Sequence, residues 1–338
     1  MAEPVALPPS RALRELRPDQ LRLLARVARM YYEQGLRQPQ IAAQLHVSQS
    51  RVSRLLRQAT DAGIVRTVVS MPRGVYTEIE ERVQTHNGLR DVVVVDIEGS
   101  QGDVIPALGA ATAAFLNETL IGFDVIGISS WSSTLLAAVD IMRPKSSAVS
   151  ESVVQMFGGV GEPAVQVQAT RLLSRFADIT GARPIFMPTP GVVSTPEVRE
   201  AVIHDAAIHE VTEAWNRLTV TLVGIGSLDP SPLLFRSGNA IAAADQDQLR
   251  ELGAVGDVCL RFFDRDGQLV QSRFNDRVLG ITPEQLKQVD RRIGVAGGAQ
   301  KYSAIRAAVL GGWINVLITD IDTARRLQND TETANLSL

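Results

Sequence analysis

The chain has 338 residues, 45% of them hydrophobic and 21% charged, with a net charge of -3 and one cysteine. Such a length suits about two domains at ~150 residues each, and the composition excludes disordered and collagen-like classes. No apolar run reaches the ~18 residues of a membrane-spanning helix, and "MAEPVALPPSRALREL" lacks a basic segment followed by an apolar one, so a cytoplasmic protein without membrane contact is expected.

The charge is unevenly spread. Residues 1–70 carry 11 Arg and no Lys against 5 acidic residues, a net +6, whereas the remainder carries 23 basic against 32 acidic residues, a net −9. A basic head suggests a polyanionic partner that an acidic body would repel.

In chain order, "DQLRLLARVARMYYE" (19–33) places Leu21, Leu24, Ala25, Ala28 and Tyr32 on one helical stripe, with Asp19 after Pro18 as a cap. A second helix is expected with Gln38 as its cap and Pro39 at the first helical position, where its missing N–H is harmless. Ile41, Ala42 and Leu45 face inward, and the chain turns at His46 and Val47. Ser48 then caps a third helix that buries Val52, Leu55 and Leu56 and ends at Gly63 as a left-handed C-cap. Two short helices joined by so tight a turn need a small residue where the second crosses the first, here Ala42. This pattern predicts a helix-turn-helix for double-stranded DNA. Gln38, Gln40, Ser48, Gln49, Ser50, Arg51, Ser53, Arg54 and Arg57 are the candidate contacts, because Ser, Gln and Arg hydrogen-bond base edges or phosphates. "IVRTVVSM" after Gly63 suggests a strand or small wing, with Arg66 available to a phosphate.

From about residue 76 the pattern changes. A helix over 76–89 precedes "DVVVVDI" (91–97), a β-branched run suited to a strand buried on both faces. Helices are then expected over 103–120, 132–142, 166–180, within 196–216, over 299–310 and from 320. Strands are expected over 123–128, 150–157, 183–187, 218–224, 257–263, 291–296 and 315–318. This alternation predicts a doubly wound, mainly parallel α/β sheet with ligands at the carboxyl ends of its strands. The domains expected are residues 1–70 for DNA, a linker helix over 71–90, and 91–330 for a small effector.

Four Gly- or Ser-rich turns follow strands: "GISSWSST" (127–134), "MFGGVGE" (156–162), "VGIGSL" (223–228) and "VAGGAQK" (295–301). Each can present backbone N–H groups at a helix start, and Ser132, Ser133 and Thr134 add hydroxyls. Lys301 sits in a first helical turn, where the dipole disfavours a cation, which suggests a ligand-facing role. Trp131 either covers a sugar ring or packs under its loop. Asp264 lies before Asp266-Gly267, a turn signal, and Asp257 either caps a strand or meets ligand. His46, His86, His204 and His209 lack metal-ligand spacing, and neither a metal nor a cofactor is expected.

"VARMYYEQGLRQPQIAAQLHVSQSRVSRLLRQATDAGIV", followed by "GISSWSST", "MFGGVGE", "GDVCLRFFDRDGQLV" and "VAGGAQKYSAIRAAVLGGWINVLITD", resembles the SorC family of bacterial sugar-sensing transcriptional regulators over about residues 20–328. The resemblance implies a helix-turn-helix domain joined to an effector domain similar in fold to sugar-phosphate isomerases. It also implies a homodimer or homotetramer, and a sugar, polyol or sugar phosphate as effector. It assigns Ser130, Trp131, Ser132, Ser133 and Thr134 to a phosphate-side loop, Gly159 to a second loop with Gln168 in the helix after it, and Gly226 and Ser227 to a third. Asp257 or Asp264 then meets ligand hydroxyls, and Lys301 is the lysine after the Gly-Gly turn. Where many members have Gly in the first loop, Ser130 and Ser132 add side chains, leaving room for a smaller ligand such as a free polyol. The alternative is a sugar-phosphate isomerase or deaminase with an accessory DNA-binding head, in which Asp257 or Asp264 would be the general base.

Overall fold

The computed structural model describes residues 17–65, 74–97, 104–120, 122–145, 147–159, 163–229 and 241–335, apart from the side chains of 163–169 and 331–335. The chain divides into two units, Met1–Pro72 and Arg73–Leu338.

In the first unit, α1 (Pro18–Ala28) continues into a π-helical turn, Arg29–Glu33, in which the Gln34 N–H donates to Arg29 O at 3.0 Å. That turn takes in one extra residue and rotates the helical face. Met30 is therefore buried at 5% exposure while Tyr32, expected on the inner stripe, is 55% exposed. α2 (Gln38–Leu45) and α3 (Gln49–Asp61) follow, and Val27, Met30, Ile41, Ala42, Val52 and Leu56 form the core. His46 adopts φ 51°, and the Val47 N–H donates to Ala42 O at 3.0 Å while the His46 N–H points to Ala43 O, the paired bonds that close a helix through a left-handed residue. Gly63, at φ 74°, ends α3 in the same way. Residues 66–71 of the expected wing, with Arg66, lie outside the described residues.

The helix expected as a linker, α4 (Thr77–Asn87), belongs to the second unit. Val83 is fully buried in that unit's core, Glu80 Oε1 accepts the Val94 N–H at 2.8 Å, and Gln84 Nε2 donates to Arg90 O at 3.0 Å. The chain continues through β1 (Asp91–Val95), α5 (Val104–Thr119), β2 (Asp124–Ile128), α6 (Ser133–Ile141), β3 (Ser150–Gln155), α7 (Pro163–Thr180) and β4 (Arg183–Ile185). Then come α8 (Pro196–Ile203), α9 (His209–Trp215), β5 (Val220–Gly224), β6 (Gly226–Ser227), α10 (Ala243–Glu251), β7 (Ala254–Val258) and β8 (Arg261–Asp264). The last elements are α11 (Pro283–Gln288), β9 (Arg291–Val295), α12 (Tyr302–Leu310), β10 (Val316–Asp320) and α13 (Ile321–Asn335).

Seven strands form one parallel sheet in the order β1-β10-β9-β5-β2-β3-β4, with helices on its faces. Residues 257–263, expected as one strand, instead reverse direction. β7 and β8 form a hairpin that β6 extends into a separate three-stranded antiparallel sheet. The reversal runs through Cys259 (φ 54°) and Leu260 (φ 62°), both in the left-handed region that bulky residues rarely enter. Asp257 Oδ2 steadies it by accepting the Leu260 N–H at 2.9 Å.

Just past the turn, Arg261 is 5% exposed and donates to three carbonyls, of Asn275 (2.8 Å), Ile281 (3.1 Å) and Gly280 (3.2 Å). Burial lowers its pKa to about 10, so the guanidinium stays charged at neutral pH. The segment it gathers supports the loop after β3, because the Gly158 N–H donates to Leu279 O (2.8 Å) and the Ile281 N–H to Met156 O (2.7 Å). Arg261→Ala strands these carbonyls, each at ~1–3 kcal/mol. It is expected to lower the urea midpoint of the second unit by at least ~3 kcal/mol equivalent, whereas a loss below ~1 kcal/mol would contradict this role.

Candidate functional site

Two surfaces, one in each unit, carry the candidate residues. On the head, Ser48 Oγ accepts the Arg51 N–H at 3.3 Å and lies 3.0 Å from Ser50 Oγ, so the cap also fixes the start of α3. Gln49, Ser50, Arg51, Ser53, Arg54 and Arg57 are all exposed. Among the described residues no carboxylate pairs with Arg51, Arg54 or Arg57. This leaves three cations on one solvent face of an amphipathic helix. Gln38 is the first residue of α2 rather than its cap, and Gln40 Oε1 accepts the Arg37 N–H at 2.9 Å, so that amide is partly spent on the helix start.

In the second unit the four Gly- and Ser-rich turns follow β9, β5, β2 and β3, which are consecutive neighbours in the sheet. All four strands run parallel, so the turns share one edge. Between β2 and β5 the connections diverge: β2 leads outward to β3 and β4, whereas β5 leads the other way to β9 and β10. A crevice forms at such a switch point, outside the carboxyl ends of the strands. Ser129 seams its floor, since its N–H donates to Leu222 O and its hydroxyl accepts the Gly224 N–H, both at 3.1 Å.

The turns interlock across the crevice. Ser132 Oγ caps α6 by accepting the Leu135 N–H at 3.2 Å, and a Cβ on Gly224 would lie 3.1 Å from it. Lys301 Nζ donates to Ile225 O at 2.8 Å, and a Cβ on Gly226 would lie 1.9 Å from Asp257 Oδ1, so only glycine fits beneath that carboxylate. Burial raises Asp257 to a pKa of about 6, partly opposed by the Leu260 N–H and by Lys301. Burial lowers the Lys301 pKa, opposed by Asp257, so the two are electrostatic neighbours.

Ser132, Gly226, Asp257 and Lys301 thus come together, with Ser133 and Thr134 half-buried in the first turn of α6. Ser227 Oγ donates to Asp229 O at 3.1 Å within its own loop. Trp131 is packed under its loop at 6% exposure, with Gly159 against it: a Cβ there would lie 2.9 Å from Nε1. Gln168 lies on α7, and its side chain is outside the described residues. Asp264 is not part of the group. Its Oδ1 accepts the Asp266 N–H (3.0 Å) and the Gln268 N–H (2.9 Å), closing the turn, and it pairs with Ala254, three residues or ~10 Å along β7 from Asp257.

Sequence reading missed Ser129 and Asp320. Asp320 accepts the Gly298 N–H at 2.8 Å, the Thr323 hydroxyl at 2.7 Å and the Thr323 N–H at 2.9 Å, holding the loop after β9 onto the end of β10. Its signal was an Asp ending an apolar strand three residues before a Thr, the pattern of a helix cap.

The family whose sequence model is described as "Putative sugar-binding domain" matches residues 74–329, and that of the "Homeodomain-like domain" matches residues 18–67. The deoxyribonucleoside regulator of Bacillus subtilis is 33% identical over 92% of this chain and 99% of its own length. The erythritol catabolism regulatory protein EryD of Brucella abortus is 29% identical over 90% of this chain and 96% of its own. The crystal structure of the full-length sorbitol operon regulator SorC from Klebsiella pneumoniae superposes with a TM-score of 0.70 at 28% identity, covering 92% of this chain and 99% of that one.

An acid whose folded pKa exceeds its unfolded value, ~3.9 for Asp, binds its proton more tightly when folded. Its contribution to stability is therefore greatest at low pH and falls as pH rises from ~4 to about 6. Asp257→Asn keeps an oxygen for the Leu260 N–H and is expected to flatten that fall in melting temperature. Parallel pH profiles for wild type and variant would show that Asp257 is not the group responsible.

Proposed function

The chain belongs to the SorC family of sugar-sensing bacterial transcriptional regulators, and we propose that its β9-β5-β2-β3 edge binds the effector that controls operator binding by α3. It is a DNA-binding transcriptional regulator in two units, a helix-turn-helix head and a sugar-binding body. One observation supports the effector site: the loops after β2, β5 and β9 lie at the switch point of the sheet and bring Ser132, Gly226 and Lys301 together there with Asp257 of β7.

In this reading α3 enters the major groove. Arg51, Arg54 and Arg57 neutralise phosphates or reach guanine edges, while Gln49, Ser50 and Ser53 hydrogen-bond alongside. A homodimer or homotetramer in the cytoplasm sets two such helices on successive half-sites. The effector is a polyol, sugar or sugar phosphate, as the deoxyribonucleoside, erythritol and sorbitol names of the relatives suggest. Its hydroxyls meet Asp257 and Lys301, and the start of α6 offers backbone N–H groups. Binding changes DNA affinity only through a difference in effector affinity between DNA-competent and DNA-incompetent states. We read the body as a sensor without turnover, in keeping with relatives that are named as regulators.

Arg54→Ala and Arg57→Ala are expected to weaken binding to an operator selected from random duplexes and to reduce the salt slope by about one each, with effector binding unchanged. Wild-type operator affinity in both variants would refute the recognition-helix assignment. Lys301→Ala is expected to keep operator affinity and shift the effector dose-response by at least ~10-fold, the scale of one lost charged hydrogen bond. Gel-shift titration at several effector concentrations measures both.

A further inference from the structure

The layer formed by α5 and α6 lacks charge where a solvent-facing layer normally carries it. The α5 sequence "VIPALGAATAAFLNET" and the α6 sequence "STLLAAVDI" hold one charged residue each, Glu118 and Asp140. In the same unit α4, α7, α8, α10 and α13 each hold three or more, and α12, with one, is largely buried. The two helices pack closely, since a Cβ on Gly109 would lie 3.0 Å from the Ala137 Cβ. Their outer side is nevertheless open. Ile105 is 43% exposed and Ile141 56%, and Ala110 and Ala114 are exposed along α5. Because α5 leads into β2 and α6 leads on to the parallel β3, both helices end at the amino edge of the sheet, where Phe123 stands 83% exposed.

Contiguous apolar surface beyond roughly a few hundred Å² marks an interaction site. With α5 ~24 Å long and α6 beside it at ~8–10 Å, the pair has a footprint on the order of 500 Å². Ridged by side chains and extended by Phe123, this surface approaches the ~800 Å² that each partner gives to a stable complex. Its margin is charged. Lys145 Nζ donates to Asn117 O at 2.6 Å, at the end of α5 that carries Glu118, and Arg171 of α7 pairs with Asp140 at 2.7 Å. An apolar centre inside a charged rim is the anatomy of a protein–protein interface. Charge also says which partner fits. With residues 71–338 at a net −9, two copies of the body repel each other over most of their surface, and the α5 and α6 face is where like charge opposes contact least. Two half-sites read by two heads likewise call for a second copy.

We infer that the outer face of α5 and α6, with Phe123 at its end, is the surface on which a second copy of this chain docks in a two-fold dimer. The same patch then meets itself, and each side chain is used twice. Phe123 is the anchor, an aromatic ring that folding leaves in water and docking removes from it. The inference rests on the reading of the protein as an operator-binding oligomer given above, and not on the effector crevice.

Phe123→Glu and Ala114→Glu place a carboxylate at exposed positions of the patch, and Leu310→Glu does the same at the 51% exposed end of α12 as a control. The full-length proteins are compared by sedimentation velocity at ~10 μM, above the micromolar range of a moderate dimer. The wild type is expected to sediment as a dimer or tetramer. Each patch variant should raise the dissociation constant of the dimer at least ~100-fold, because two-fold symmetry buries every new carboxylate twice. Operator affinity should fall with it, while Leu310→Glu leaves both at the wild-type value. Circular dichroism reports whether the variants are folded; should Ala114→Glu fail, Phe123→Glu decides, since its side chain takes little part in the core. A monomeric wild type overturns the inference, whether its patch stays bare or takes up phosphatidylcholine vesicles instead. So do patch variants that assemble like the wild type, or a Leu310→Glu protein that dissociates as readily as they do. Arg54→Ala separates the two levels: operator binding lost there with assembly intact keeps the recognition helix, whatever the patch variants show.

Discussion

β2 and β5 lie side by side and parallel, yet the chain leaves them in opposite directions along the sheet. A parallel sheet must send every connection over one of its faces, so no crossover covers the edge where the two departures diverge. The gap is therefore a product of topology rather than of any side chain. What side chains do is line it. Ser129 binds the two strands together at their ends, the loops after β9 and β3 close it from either side, and Asp320 and Arg261 hold those loops from behind. Each of these residues is committed to backbone groups, which is why the crevice has a defined shape.

The head solves a different problem. Its described helices bury a small core, and α3 gives up one face to that core and exposes the other, with arginines that no carboxylate among the described residues pairs with. The contrast in net charge, +6 over residues 1–70 and −9 over the rest, gives the duplex an attraction for the head and a repulsion for the body. The residues proposed for sensing and for DNA contact lie in different units, so substitutions on one surface are testable apart from the other.

Most of the architecture was legible in the residues. Period-2 and β-branched runs marked the parallel strands, and Ala42, Ser48 and Gly63 marked the helix-turn-helix, because those features report local steric and hydrogen-bonding demands. Three things were hidden. The π-helical turn at Arg29–Glu33 has no composition of its own, so Tyr32 looked like a core residue. The reversal at Cys259–Leu260 carries no Gly or Asn, and a side-chain bond from Asp257 to the Leu260 N–H steadies it instead. Strand order was also invisible: the four loops could be identified, but their meeting depends on β9, β5, β2 and β3 being neighbours, which pairwise packing over long sequence separations decides. For the same reason Asp264 resembled Asp257 in sequence while the hairpin carried it away from the crevice.

Arg261 has a consequence beyond stability. With a pKa of about 10 its guanidinium keeps its proton wherever a cell operates, whereas Asp257, a few residues away on the same hairpin, changes charge near pH 6. The scaffold under the loop after β3 is accordingly blind to acidity and the carboxylate beside Lys301 is not. Acidification therefore alters both the field beside Lys301 and the bond that Asp257 makes to the Leu260 N–H, while the contacts of Arg261 under the loop after β3 stay in place.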